Sequence, residues 1–199
     1  MTVRLDNVST DPLSPQAGLP APGSGVSGGL DGAAVPAAID RGLFRRVAGR
    51  FATGICVVST SSQGIDHAMT VSAFNSVSLR PLLVMVCVEK ITRFHESVLE
   101  SGRWVVSVLG DDAEPLSRWF AEKGRPTHAQ MADYGHHPGP ATGMPVLDAA
   151  IAVIECRTWA VYDGGDHDVV LGEVLAVAAD AEPRSPLLYV EGRYRRLAD

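Results

Sequence analysis

From Ile55 onward the apolar residues of this chain come in runs of strand length, each closed by a turn signal. Runs of four to eight residues rich in Val, Ile and Leu, bounded by Gly, Pro, Asn or Asp, read as strands, whereas a buried helix needs a longer pattern. Ile55–Thr60 is such a run, and Ser61–Asp66, which holds Gly64, reads as the turn after it. Met69–Leu79 alternates: Met69, Val71, Ala73, Val77 and Leu79 share one parity, and Thr70, Ser72, Ser76 and Ser78 share the other. Leu82–Val88 is continuously apolar and is expected to be covered on both faces. Trp104–Leu109, Ala150–Tyr162 and Asp168–Ala178 follow, the last two joined by a turn at Asp163-Gly164-Gly165-Asp166. Leu187–Val190 and Arg193–Arg196 read as one final strand bent at Gly192.

Helical spacing recurs in only three places. Leu43, Phe44, Val47 and Phe51 follow Asp40, a good N-cap. Thr92–Glu100 is short, with Thr92 as its cap, and Ala113–Glu122 gathers Leu116, Trp119 and Phe120 on one side. Residues 123–146 read as a long loop. Strands that do not alternate regularly with helices argue against a doubly wound sheet. They predict a mainly β fold with peripheral helices, built as a small antiparallel barrel.

Residues 1–38 are rich in Pro and Gly and hold no aromatic side chain, so they are expected to form a disordered tail ahead of a domain over residues 39–199. The chain carries 17 Lys and Arg against 23 Asp and Glu, a net charge of −6, which argues against a broad basic groove for nucleic acid. Leu82–Val88 is the longest continuous apolar run and falls far short of the roughly 20 residues of a membrane helix. The N-terminus has no secretory pattern. Cys56, Cys87 and Cys156 are widely spaced and form no C-x-x-C pair, so neither a disulfide framework nor a zinc site is expected, and a reducing cytoplasm is. His128, Asp133, His136 and His137 match no metal-ligand spacing, and no metal is expected.

Three groupings could carry chemistry. Thr70, Ser72, Ser76 and Ser78 would line one strand face with small donors and acceptors, either a solvent-facing surface or a groove for a polar planar ligand. Glu89-Lys90-Ile91-Thr92-Arg93 joins a strand end to a helix start, either a capped helix with solvated charges or an anion site. Gly164-Gly165-Asp166-His167 sits at a hairpin tip, either as plain turn residues or as a ligand contact. No nucleophile elbow, dinucleotide fingerprint or phosphate-loop motif is present.

In order and spacing, Phe44–Gly54, Met69–Leu79, Pro81-Leu82-Leu83-Val84, Gly165-Asp166-His167, Gly172-Glu173-Val174 and Gly192-Arg193-Tyr194 resemble the flavin reductases of the flavin-binding split-barrel fold. These are the small reductase components of two-component flavin monooxygenases, and the resemblance covers about residues 42–197. The chain departs from the family pattern at Ala68, Arg80 and Ser107. The resemblance implies an antiparallel split barrel that reduces FAD or FMN with NADH or NADPH and supplies reduced flavin to a partner monooxygenase. It implies a flavin site at Thr70, Val71, Ser72 and Ala73, at Cys87 and Val88, and at Lys90, Thr92 and Arg93 for the phosphate. Gly165, Asp166, His167 and Tyr194 would meet the nicotinamide nucleotide, with His167 orienting it for hydride transfer. A homodimer is implied as well. The competing expectation is a split-barrel protein that keeps its flavin bound as an electron carrier, or a flavin- or haem-binding module without turnover.

Overall fold

The computed structural model describes residues 39–128 and 130–198, so the expectation of a tail over 1–38 lies outside the described residues. In chain order the elements are α1 (Arg41–Ala48), β1 (Thr53–Gly54), β2 (Cys56–Ser62), β3 (Ile65–Val71), β4 (Phe74–Leu79) and β5 (Leu82–Glu89). Then come α2 (Arg93–Ser101), β6 (Arg103–Leu109), α3 (Glu114–Ala121), β7 (His136–Pro138) and β8 (Pro145–Leu147). The chain ends with β9 (Ala150–Asp163), β10 (His167–Ala179), β11 (Leu188–Val190) and β12 (Arg193–Arg195). Among the described residues the fold is mainly β with three short peripheral helices.

One seven-stranded antiparallel sheet runs in the order β3-β2-β6-β9-β10-β5-β4. Its two edge strands are consecutive in sequence. Only Ser72 and Ala73 separate Val71 from Phe74. A flat sheet would hold β3 and β4 about 29 Å apart at the usual strand spacing. The linker spans at most about 11 Å. The sheet therefore curls until its edges come round to each other, and the break at Ser72-Ala73 is where they meet.

Met69–Leu79 is thus two strands on opposite edges, not the single alternating strand expected. A bulge between Ser76 and Ser78 shifts the parity again within β4. The apolar run Leu82–Val88 also differs from expectation. Val84, Val86 and Val88 are buried, while Leu83, Met85 and Cys87 on the other face are half-buried and Leu82 is exposed. The strands covered on both faces are β2 and its neighbour β6, because they lie between the two layers of core. Cys56 and Val58 join Trp104, Phe94 and Val98 of one apolar cluster. Ile55 and Val57 join Leu109, Leu116, Phe120 and Leu187 of the other. Helix α2 contributes to the first cluster and α3 to the second, so each helix seals one side of the sheet.

Local chemistry accounts for the element ends. Asp40 accepts from the Leu43 N–H at 2.7 Å and starts α1. Gln63 and Gly64 both have positive φ, which makes a two-residue hairpin turn much tighter than the expected Ser61–Asp66 turn. Glu191 and Gly192 do the same between β11 and β12, so the last segment is a hairpin and not one bent strand. The loop over 123–146 contains a small paired ladder, β7 with β8.

Candidate active site

A cavity of about 400 Å³ opens between β3, the end of β5, the start of α2 and the turn after α3. Its wall includes His67, Thr70, Thr92, Arg93, Lys123 and Arg125. Thr92 caps α2: its hydroxyl accepts from the His95 N–H at 3.2 Å and donates to the Glu89 carbonyl at 2.8 Å. The free amides of the first helical turn therefore meet the cavity and carry partial positive charge. Arg93 donates to the Arg125 carbonyl at 2.7 Å. Arg125 donates to the Ala68 carbonyl at 2.7 Å and the Trp119 carbonyl at 3.0 Å, with its guanidinium 5.6 Å above the Phe120 ring. Among the described residues neither arginine has a carboxylate within ion-pair distance. Lys123 does, at 3.1 Å from Glu89.

The uncompensated charge is visible in its neighbours. Burial, with Arg93 nearby, holds Arg125 below its ordinary pKa. Burial and Arg93 also push His67 down, against a smaller opposing pull from Asp66, so its imidazole is neutral at neutral pH. A helix N-terminus flanked by two unpaired guanidiniums is suited to an anion such as a phosphate.

Thr70 borders a second cavity of about 400 Å³, which adds Ser72, Arg118, Tyr189 and Tyr194. The Thr70 hydroxyl donates to the Ser117 carbonyl at 2.7 Å, and the Ser117 and Tyr194 hydroxyls are 2.8 Å apart. Tyr194 is braced by the edge of Tyr189, with ring centroids 5.2 Å apart, and by the Arg118 guanidinium at 4.7 Å. Flat rings beside small hydroxyls suit a planar ligand with polar edges.

Several sequence-singled residues stand here and several do not. Thr70, Thr92 and Arg93 line the first cavity, and Thr70, Ser72 and Tyr194 the second. Ser76 and Ser78 lie on β4, so the expected face of four hydroxyls does not exist. Val71 and Val88 bury their side chains in the core and can offer a ligand only backbone. Ala73 accepts from the Cys87 N–H at 3.2 Å where the sheet edges meet. Burial raises the pKa of the half-buried Cys87 thiol, which keeps it a small neutral side chain. Burial pushes the Cys56 and Cys156 thiols up to about 12.

Lys90 lines neither cavity. It pairs with Asp163 and lies 3.3 Å from Asp168. Gly165, Asp166 and His167 also line neither, but they stand beside the first: His167 is registered with Glu89, and the Lys90 N–H donates to the Asp166 carbonyl at 3.0 Å. His167 Nδ1 is 2.7 Å from the Asp166 carboxylate and holds it below the usual range. Gly165 has φ +87, the left-handed conformation the tip requires. Tyr194, grouped with this turn in the sequence reading, stands with Thr70 and Ser72.

Arg125, Lys123, His67, Arg118 and Tyr189 line the cavities and Ser117 bonds Thr70 and Tyr194 behind them, and the sequence singled out none of these six. The only signal was the cationic Lys123-Gly124-Arg125 after α3, and nothing local tells that Arg125 reaches Ala68 in β3. Among the described residues no group of three or more His, Cys, Asp or Glu could hold a metal ion, and no helix is long and apolar enough to cross a membrane. His136 and His137 face Asp66 at 3.7 Å and Asp148 at 2.8 Å.

Residues 48–198 match the family model described as flavin reductase like domain. An NADH-dependent FAD reductase of Streptomyces globisporus is 38% identical over 160 residues, covering 80% of this chain and 87% of that protein. The reductase subunit HsaB of a flavin-dependent monooxygenase from Rhodococcus jostii is 34% identical over 164 residues, covering 82% of each. Among solved structures, the NADH:FAD oxidoreductase SgcE6 of Streptomyces globisporus, in complex with NAD and FAD fragments, superposes with a TM-score of 0.75 at 36% identity, covering 80% of this chain and 93% of that one.

Proposed function

The chain belongs to the flavin reductase like domain family, and we propose that its two linked cavities hold the flavin while the β9–β10 hairpin holds the nicotinamide donor. The activity is that of an NADH-dependent flavin reductase supplying a flavin-dependent monooxygenase component. A hydride passes from the nicotinamide ring to the flavin ring, leaving NAD⁺ and reduced flavin; this chemistry belongs to the two ligands. The protein binds, orients and shields them.

The observation that carries the site reading is the first cavity's wall: the α2 N-terminus with Arg93 and Arg125, both without a carboxylate partner among the described residues. Such a wall fits a flavin phosphate. Thr70, Ser72 and Tyr194 in the adjoining cavity fit the ring. Backbone amides from Thr70 to Ala73 would donate to its polar edge and favour the negative charge that grows there on reduction. Cys87 would border the ring with its small neutral side chain and Val88 with backbone alone. Lys90 acts through the hairpin it ties down. His167, half exposed beside Gly165 and Asp166, would orient the nicotinamide nucleotide.

The curl of the seven-stranded sheet supports an antiparallel split barrel. A homodimer is part of the same reading. Phe44 and Val47 of α1 are each 63% exposed, and the outer face of β5 is apolar and only half covered. Both faces are of the kind that a second copy covers. Sedimentation at the mass of one chain would exclude it. A cytoplasmic setting, where NADH is made and free thiols persist, completes the reading.

The test is NADH oxidation in air with and without added FAD or FMN, repeated with NADPH. Turnover that rises with added flavin supports a diffusing flavin substrate. Turnover independent of added flavin supports a carrier with bound flavin, and no turnover supports a binding module.

A further inference from the structure

We infer that His95 and Asp168 are positioning residues for the nicotinamide-binding turn: they lock the β9–β10 hairpin to α2 and so set where His167 stands. The inference rests on the reading of that hairpin as the nicotinamide contact. Asp168 follows His167 on β10 and is registered with Asp163 on β9 and Val88 on β5. Successive strand residues face opposite sides. While Asp168 turns its carboxylate toward α2, His167 therefore turns away from the helix.

The Asp168 carboxylate lies 2.7 Å from His95 Nε2 and 3.3 Å from Lys90 Nζ. The side chains of His95 and Asp168 are each only 14% exposed, so water competes little for this contact. Lys90 also reaches Asp163, which draws both strands of the hairpin into the same group of charges. Asp166 and His167 pair with each other outside it, and Glu89 is held by Lys123. The hairpin does not require this clamp in order to fold, because β9 and β10 pair from Asp163–Asp168 at the tip to Ala152–Ala179, with two register shifts on the way. What the clamp adds is the angle of the tip.

The same helical turn also serves the other ligand. His95 lies three residues past the Thr92 cap, and its N–H donates to the cap hydroxyl. Helix α2 thus meets the anion cavity with its N-terminus and the hairpin with His95. The helical geometry fixes the separation of the two.

The test uses the full chain with His95→Ala and Asp168→Asn. It reads steady-state NADH oxidation at saturating flavin, flavin affinity by fluorescence quenching without NADH, and melting temperature. The NADH KM is expected to rise about fivefold or more. Flavin affinity is expected to stay within about twofold. The combined variant should be no worse than the worse single one, because both act through one contact. His95→Gln, which can still donate to Asp168, should recover part of the loss. An unchanged NADH KM in both variants, or equal weakening of both ligands, overturns the inference. His167→Ala separates the two levels. If it leaves the NADH KM unchanged, the reading of the hairpin fails and the inference with it. If it raises the KM while the clamp variants do not, only the clamp fails.

Discussion

Gly172 on β10 packs directly against the core: a Cβ there would lie 2.4 Å from the Trp104 ring and 2.9 Å from the Cys156 Cβ. Trp104 is fully buried and cannot yield. Gly172→Ala should therefore destabilise by about 1–3 kcal/mol, the range for overpacked cores, and lower the melting point by about 2–10 °C. In the cavity, Arg93→Ala should cost about 1.5–3 kcal/mol of flavin binding, as a lost hydrogen bond to a charged group does. Kinetics should show that as a raised flavin KM with kcat little changed. An unchanged KM would move the phosphate elsewhere. His67 gives a pH signature. Its pKa in the fold is pushed below 6.5, so the unfolded chain binds the proton more readily. Its contribution to stability is complete above about pH 6.5 and is lost as pH falls through the folded value. Melting curves across this window should show the loss, and His67→Gln should flatten it.

Among the elements, the β9–β10 hairpin and α2 carry the most functional weight. The hairpin tip needs Gly165 at positive φ, and its side chains do not support the core. His167→Ala should therefore leave the melting point unchanged. It should raise the NADH KM, or slow hydride transfer by misplacing the donor ring. Flavin affinity should stay within about twofold. Weakened flavin binding with normal NADH kinetics would put this turn on the flavin instead. Helix α2 owes its role to Thr92, whose cap directs the first turn at the cavity. The Thr92 and Asp40 caps were legible because capping is local. The broken strand at Ser72-Ala73 was not, since alternation on either side of it keeps the same residue types.

For the whole molecule, the curled sheet brings β3, α2, α3 and the final hairpin into contact from four distant stretches of chain. Residues 1–38 hold no aromatic residue in their sequence. Their deletion should leave NADH oxidation unchanged and shift the melting point by less than about 4 °C, which corresponds to roughly 1 kcal/mol in a domain of this size. A larger drop would show that the segment packs on the domain.

Strand-length runs, turn glycines and helix caps are short-range features, and from them the sequence by itself determined a mainly β fold with three small helices. Ordered motifs such as Met69–Ala73 and Gly165-Asp166-His167 also made the family legible. The tertiary structure alone decided which strands are covered on both faces, and it chose β2 and β6 over the more apolar β5, because burial follows position between two layers and not hydrophobicity alone. It also decided that Arg125 reaches β3 across 57 residues and that Tyr194 stands with Thr70. A charge or a ring acquires its partner only when the sheet closes, and no local pattern encodes which partner that is.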